Sequence, residues 1–131
     1  MSEGVHLLVA NDLSRTYGRR TAGLRDTVTF EAVKGVSLRL GPAEAIGIVG
    51  GSGAGKSTLA RLLLALEKPD RGIVEFEGHA ISELADARVR PLRQRFQAVF
   101  QDPSTSLDPC LRVKTIIAEP LVAHGIGSSS D

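Results

Sequence analysis

The chain has no tryptophan, one tyrosine and one cysteine, and aromatic residues make up only 4% of it. A core with so few rings must be built from Leu, Ile, Val and Ala. The single Cys110 excludes an internal disulfide and is compatible with a reducing compartment. No His stands near it in sequence, so it is expected to be a packed, inert thiol. Neither sign of charge is in excess. A formal net charge of +1 gives no support to a protein held on nucleic acid by bulk electrostatics. No apolar run reaches the roughly 20 residues that span a bilayer. The stretch at residues 5–10 is too short for a secretory signal and no basic segment precedes it.

What is present suits one globular domain over residues 1–131, with 42% hydrophobic and 24% charged residues. Residues 5–10 read as a first strand, followed by a polar stretch to Arg20, with a solvated loop expected over 19–27. Val36, Leu38 and Leu40 alternate with Ser37 and Arg39, the period of a half-buried strand. Gly41-Pro42 marks a turn. Ala45-Ile46-Gly47-Ile48-Val49 is a continuous apolar run, which predicts a strand buried on both faces. Leu59, Leu62, Leu63 and Leu66 then form one stripe of a helix, stopped by Pro69-Asp70-Arg71-Gly72. Further strands are expected at 73–77 and 98–100, a helix at 83–95 broken near Pro91, and a second apolar pattern at 113–121. Arg88, Arg90, Arg93 and Arg95 read as a solvated helical face, because few aromatics interleave with them.

The strongest signal is Gly50-Gly51-Ser52-Gly53-Ala54-Gly55-Lys56-Ser57-Thr58. It matches a glycine, four residues, then Gly-Lys-Ser/Thr. Glycines reach positive φ and leave no Cβ between backbone amide and anion. Successive N–H groups then face one concavity, and the helix that follows adds its partial positive end. Such a loop is expected to cradle the phosphates of a nucleoside triphosphate. Lys56 would reach the β- and γ-phosphates, the Ser57 hydroxyl would ligate Mg²⁺, and Thr58 would contact the α-phosphate side. The motif alone leaves kinases, GTPases, motor ATPases and transporters open.

Four segments together resemble the ATP-binding subunit of an ABC transporter, in particular the dipeptide, oligopeptide and nickel importer group. They are Leu13-Ser14-Arg15-Thr16-Tyr17, the run from Val36 into the phosphate loop, Val99-Phe100-Gln101-Asp102-Pro103, and Ser106-Leu107-Asp108-Pro109 with Ile117-Ala118-Glu119-Pro120-Leu121. The resemblance implies an α/β P-loop NTPase fold: the antiparallel β-subdomain and the phosphate-loop strand and helix of an ABC ATPase, with an incomplete sheet. It implies that Tyr17 stacks on adenine, and that Gln101 coordinates Mg²⁺ or the attacking water and contacts a permease. An amide offers a carbonyl without adding charge. The implied ligands are ATP and Mg²⁺. The implied partners are transmembrane permease subunits, a second ATP-binding subunit and, indirectly, a solute-binding protein. No nucleic acid is expected, and the expected place is the cytoplasmic side of the membrane.

The sequence also departs from that pattern. Gly51 stands where the group usually has a larger residue, Asp108 replaces a common Asn, and Cys110 a common basic residue. After Gln101 there is no Leu-Ser-Gly-Gly-Gln signature, no apolar strand ending in Asp-Glu and no switch His. Asp102, Asp108, Glu119 and Asp131 do not end an apolar strand. The chain is therefore expected to be the N-terminal part of a nucleotide-binding domain, able to bind ATP and poor at cleaving it. A soluble ABC ATPase acting on ribosomes or DNA is the rival reading.

Overall fold

A computed structural model describes residues 6–20, 27–102 and 107–126. Two units divide the chain, residues 1–89 and 90–131.

The first unit is organised by an antiparallel sheet of order β2-β1-β3, in which β1 is Leu8–Arg20, β2 is Thr27–Leu40 and β3 is Arg71–Phe76. The ladder between β1 and β2 runs from Leu8 opposite Leu40 to Arg20 opposite Thr27. Both strands are longer than their apolar alternation suggests. Polar residues 11–20, expected to leave the strand, stay in it because side chains bond where the register shifts. Ser37 Oγ accepts the Asp12 N–H at 2.9 Å, and Ser14 Oγ accepts the Gly35 N–H at 3.0 Å. These bonds satisfy backbone donors that a bulge would otherwise strand. Residues 21–26 of the expected loop lie outside the described residues.

Helix α1, Lys56–Leu63, buries Leu59 and Leu62. They join Ala10, Leu13, Val33, Val74, Phe76, Ile81 and Val89 in an aliphatic core with one ring, Phe76. The buried Ser82 is satisfied there: its Oγ accepts the Val74 N–H at 2.9 Å. The helix ends before the expected proline turn. Leu66 N–H reaches Arg61 O at 2.9 Å and Ala65 N–H reaches Leu62 O at 3.0 Å, the paired bonds of a Schellman cap. Ala65 takes φ 48°, so the chain turns and Leu66 leaves the apolar stripe for solvent.

The expected strand at Ala45-Ile46-Gly47-Ile48-Val49 is corrected. The segment is extended neither in a ladder nor in the core, and Val49 is 93% exposed. An apolar run becomes a buried strand only where neighbours pair with it on both sides. Among the described residues none does. The same correction applies to residues 98–100, where Val99 is fully exposed and no ladder forms.

Helix α2, Asp86–Leu92, is shorter than expected and passes through Pro91. The proline removes a bond to the carbonyl of Ala87, an exposed residue that water can serve. In the second unit the apolar pattern at 113–121 lies in a helix, α3, Val113–Ala123, which contains no buried residue. Arg90 donates to Ala123 O at 3.0 Å there. Cys110, expected to pack, is exposed. Of the arginine cluster, Arg88, Arg90 and Arg95 are exposed and Arg93 is half-buried. Among the described residues no helix is long and apolar enough to cross a membrane.

Candidate functional site

The glycine loop enters α1 directly. Gly55 caps the helix in the left-handed region, φ 82°, and Gly53 takes φ 78°. A Cβ on Gly55 would lie 1.9 Å from the carbonyl oxygen of Ala32 in β2. The last glycine is thus pressed against the sheet, and this contact fixes where the helix begins. Around Gly51 and Gly53 there is open space within 4 Å. A Cβ at Gly51 would therefore meet no neighbour.

The Lys56 amino group folds back over the loop, donating to Gly50 O at 2.8 Å and Gly51 O at 2.6 Å. The loop closes around its own cation, and the N-cap Gly55 offers no side-chain cap to the helix start. That arrangement fits an anion: glycine backbone without Cβ, a helix N-terminus and an ammonium group converge on one place.

A cleft of about 260 Å³ lies above the loop. One wall is residues 53–58, with Lys56, Ser57 and Thr58, and the other is Tyr17, Phe30 and Ala32 of the β1–β2 ladder. Tyr17 is therefore brought to the loop. Gly50, Gly51 and Ser52 belong to the same loop outside the lining, and Gln101 belongs to the second unit, exposed and outside any helix or strand.

Tyr17 is held from behind. Its hydroxyl donates to Glu67 Oε2 at 2.8 Å, and the Arg15 guanidinium stands 5.2 Å from its ring centroid, within cation–π range. Arg15 sends Nε and Nη2 to Glu67 Oε1, each at 2.8 Å, and Nη1 to Asp70 Oδ1 at 2.7 Å. Asp70 Oδ2 also accepts the Thr16 N–H at 2.7 Å. That backbone bond first, and Arg15 second, hold the Asp70 carboxyl below its ordinary range. Sequence reading missed Phe30 and Glu67. The β-prone Thr-Val-Thr-Phe run hinted that β2 begins earlier; nothing local marked Glu67.

A glycine loop on a helix N-terminus, set against an antiparallel β-subdomain, defines a nucleotide-binding P-loop protein. The ABC transporter family model matches residues 33–125, and the chain belongs to that family. It is 42% identical over 127 residues to the glutathione import ATP-binding protein GsiA of Salmonella typhimurium, covering 95% of this chain and 20% of that protein. It is 48% identical over 98 residues to the oligopeptide transport ATP-binding protein OppD of Mycobacterium tuberculosis, with 75% and 16% covered. With the nickel import ATP-binding protein NikE of Pseudomonas putida the identity is 45% over 103 residues, with 78% and 38% covered. The ATP-binding cassette MJ0796, solved as a dimer with ADP and Pi, superposes with TM-score 0.74 at 26% identity, covering 92% of this chain and 49% of that one. The chain spans about a fifth of the length of its GsiA relatives.

Proposed function

We propose that this chain supplies the ATP-holding part of an ABC importer subunit that energises uptake of peptides or nickel. The carrying observation is a cleft lined by both Tyr17 and residues 53–58. The importer relatives support the cargo class.

In this reading the loop N–H groups and the Lys56 ammonium take the phosphate oxygens, and Tyr17 offers its ring face to the base. Ser57 would hold Mg²⁺ through its hydroxyl. When bound, Mg²⁺ neutralises charge on the β- and γ-phosphates. Lys56 must exchange its bonds to Gly50 and Gly51 for phosphate oxygens, a trade between acceptors that leaves no buried donor unpaired. The carboxylates that orient water in the family are not among this chain's motifs, so hydrolysis is expected to be slow. The same reading assigns transmembrane permease subunits and a second ATP-binding subunit as partners, on the cytoplasmic face of the membrane, with a solute-binding protein acting indirectly.

Titration of the 131-residue chain with Mg-ATP tests the binding. The unfolding midpoint should rise with ATP, by about 2.7 kcal/mol of stability at a hundredfold excess over Kd. Lys56→Ala should remove that rise. An equal rise in Lys56→Ala would reject the phosphate role, and turnover at or above about 1 s⁻¹ would reject slow hydrolysis. Co-purification with ribosomes rather than permease subunits would overturn the transport assignment.

A further inference from the structure

Phe30 stands directly opposite Tyr17 in the β1–β2 ladder, so both rings project from the same face of the sheet. Both line the cleft above residues 53–58. Phe30 is 57% exposed and takes no part in the buried core. A ring left in water at that level has no packing role to explain it. The hydroxyl and one ring face of Tyr17 are already engaged by Glu67 and Arg15, which leaves its other side to the cleft.

We propose that Phe30 is a second aromatic contact for the base of the bound nucleotide, so that the base is gripped by a cross-strand pair of rings. The proposal rests on the nucleotide reading above and adds a specificity-determining residue to it. Phe30 has no polar atom, so it can add affinity only through an aromatic or apolar surface. Its ligand is the base, and the phosphates are left to the loop. A ring contact of this kind tolerates any base with a π-face, so it selects nucleotide over bare polyphosphate.

The test compares ATP with inorganic tripolyphosphate, which shares the phosphates and lacks the base. Both are titrated calorimetrically into the full chain and its variants with Mg²⁺ present. Phe30→Ala should weaken ATP about tenfold, as expected for loss of one stacking contact, and leave tripolyphosphate within about twofold, below the energy of any such contact. Phe30→Leu, which keeps volume without a π-face, should fall between them and serves where Phe30→Ala does not fold. Unchanged ATP affinity in both variants overturns the proposal. Equal weakening of ATP and tripolyphosphate also overturns it, because a general disturbance of the loop would do that. Wild-type chain that binds tripolyphosphate as tightly as ATP removes any base contact and leaves the loop standing. Wild-type chain that binds neither overturns the nucleotide reading itself, and this proposal with it.

Discussion

The Tyr17 hydroxyl donates to Glu67 at 2.8 Å, and the same carboxylate receives Arg15. The Tyr17 ring is thereby fixed at its far end and along one face. Its hydroxyl and its ring have separable effects. Tyr17→Phe should cost about 1 kcal/mol of stability, the net worth of a typical hydrogen bond, and change ATP affinity little. Tyr17→Ala should weaken ATP by about 1–3 kcal/mol. Denaturant unfolding and calorimetric titration separate the two, and equal losses of ATP affinity in both variants would count against stacking.

The two loop glycines at 51 and 55 should respond oppositely. Gly55→Ala must adopt φ 82° and clear the Ala32 carbonyl, which its Cβ would approach to 1.9 Å. The left-handed conformation alone costs about 1–2 kcal/mol, and the collision adds to it. A Cβ at Gly51 meets open space, so Gly51→Glu should leave thermal unfolding within about 0.5 kcal/mol of wild type. A Gly55→Ala protein as stable as wild type would contradict the contact with β2.

Ala65 offers a route to a more stable chain. It holds φ 48° at the position that closes the helix, where glycine carries no Cβ penalty. Ala65→Gly should raise stability by up to about 1 kcal/mol, the left-handed penalty less the extra entropy of an unfolded glycine. A fall in the denaturant midpoint would show that Ala65 is not strained there.

Asp70 should make stability depend on acid. Its carboxyl is held below the ordinary value, first by the Thr16 N–H and then by Arg15. A lowered folded value means that the contribution is fully present above about pH 3.9, the unfolded value. It is lost as pH falls through the lower folded value. Asp70→Asn should flatten that part of the stability curve while leaving it unchanged in slope near neutrality. The same acid slope in wild type and variant would remove Asp70 from the network.

The glycine loop and its helix were legible because their signal is local: glycine spacing, then Leu59 and Leu62 on one helical face. Tyr17 was singled out only through resemblance, since one tyrosine at a strand end carries no pattern of its own. Glu67 was invisible because its place depends on a bond to Tyr17, 50 residues away along the chain, and the Thr-Val-Thr-Phe run hinted at a strand without showing that Phe30 pairs with Tyr17. The run at 45–49 was misread for a related reason. Apolarity states what a segment tolerates, whereas pairing depends on which other segments lie beside it. Residues 11–20 show the converse, polar sequence kept in a strand by Ser14 and Ser37.

The anchor that lies 50 residues downstream of Tyr17 also sets an order of events during synthesis. At ribosomal rates of about 5–20 residues per second, Glu67 is made roughly 3–10 s after Tyr17. The β1–β2 hairpin can zip in that interval, and the glycine loop is translated within it. A nascent chain in which β2 is free to pair while Glu67 is still to emerge therefore carries the aromatic wall before its brace, and only the arrival of Glu67 and Asp70 fixes Arg15 and the Tyr17 hydroxyl.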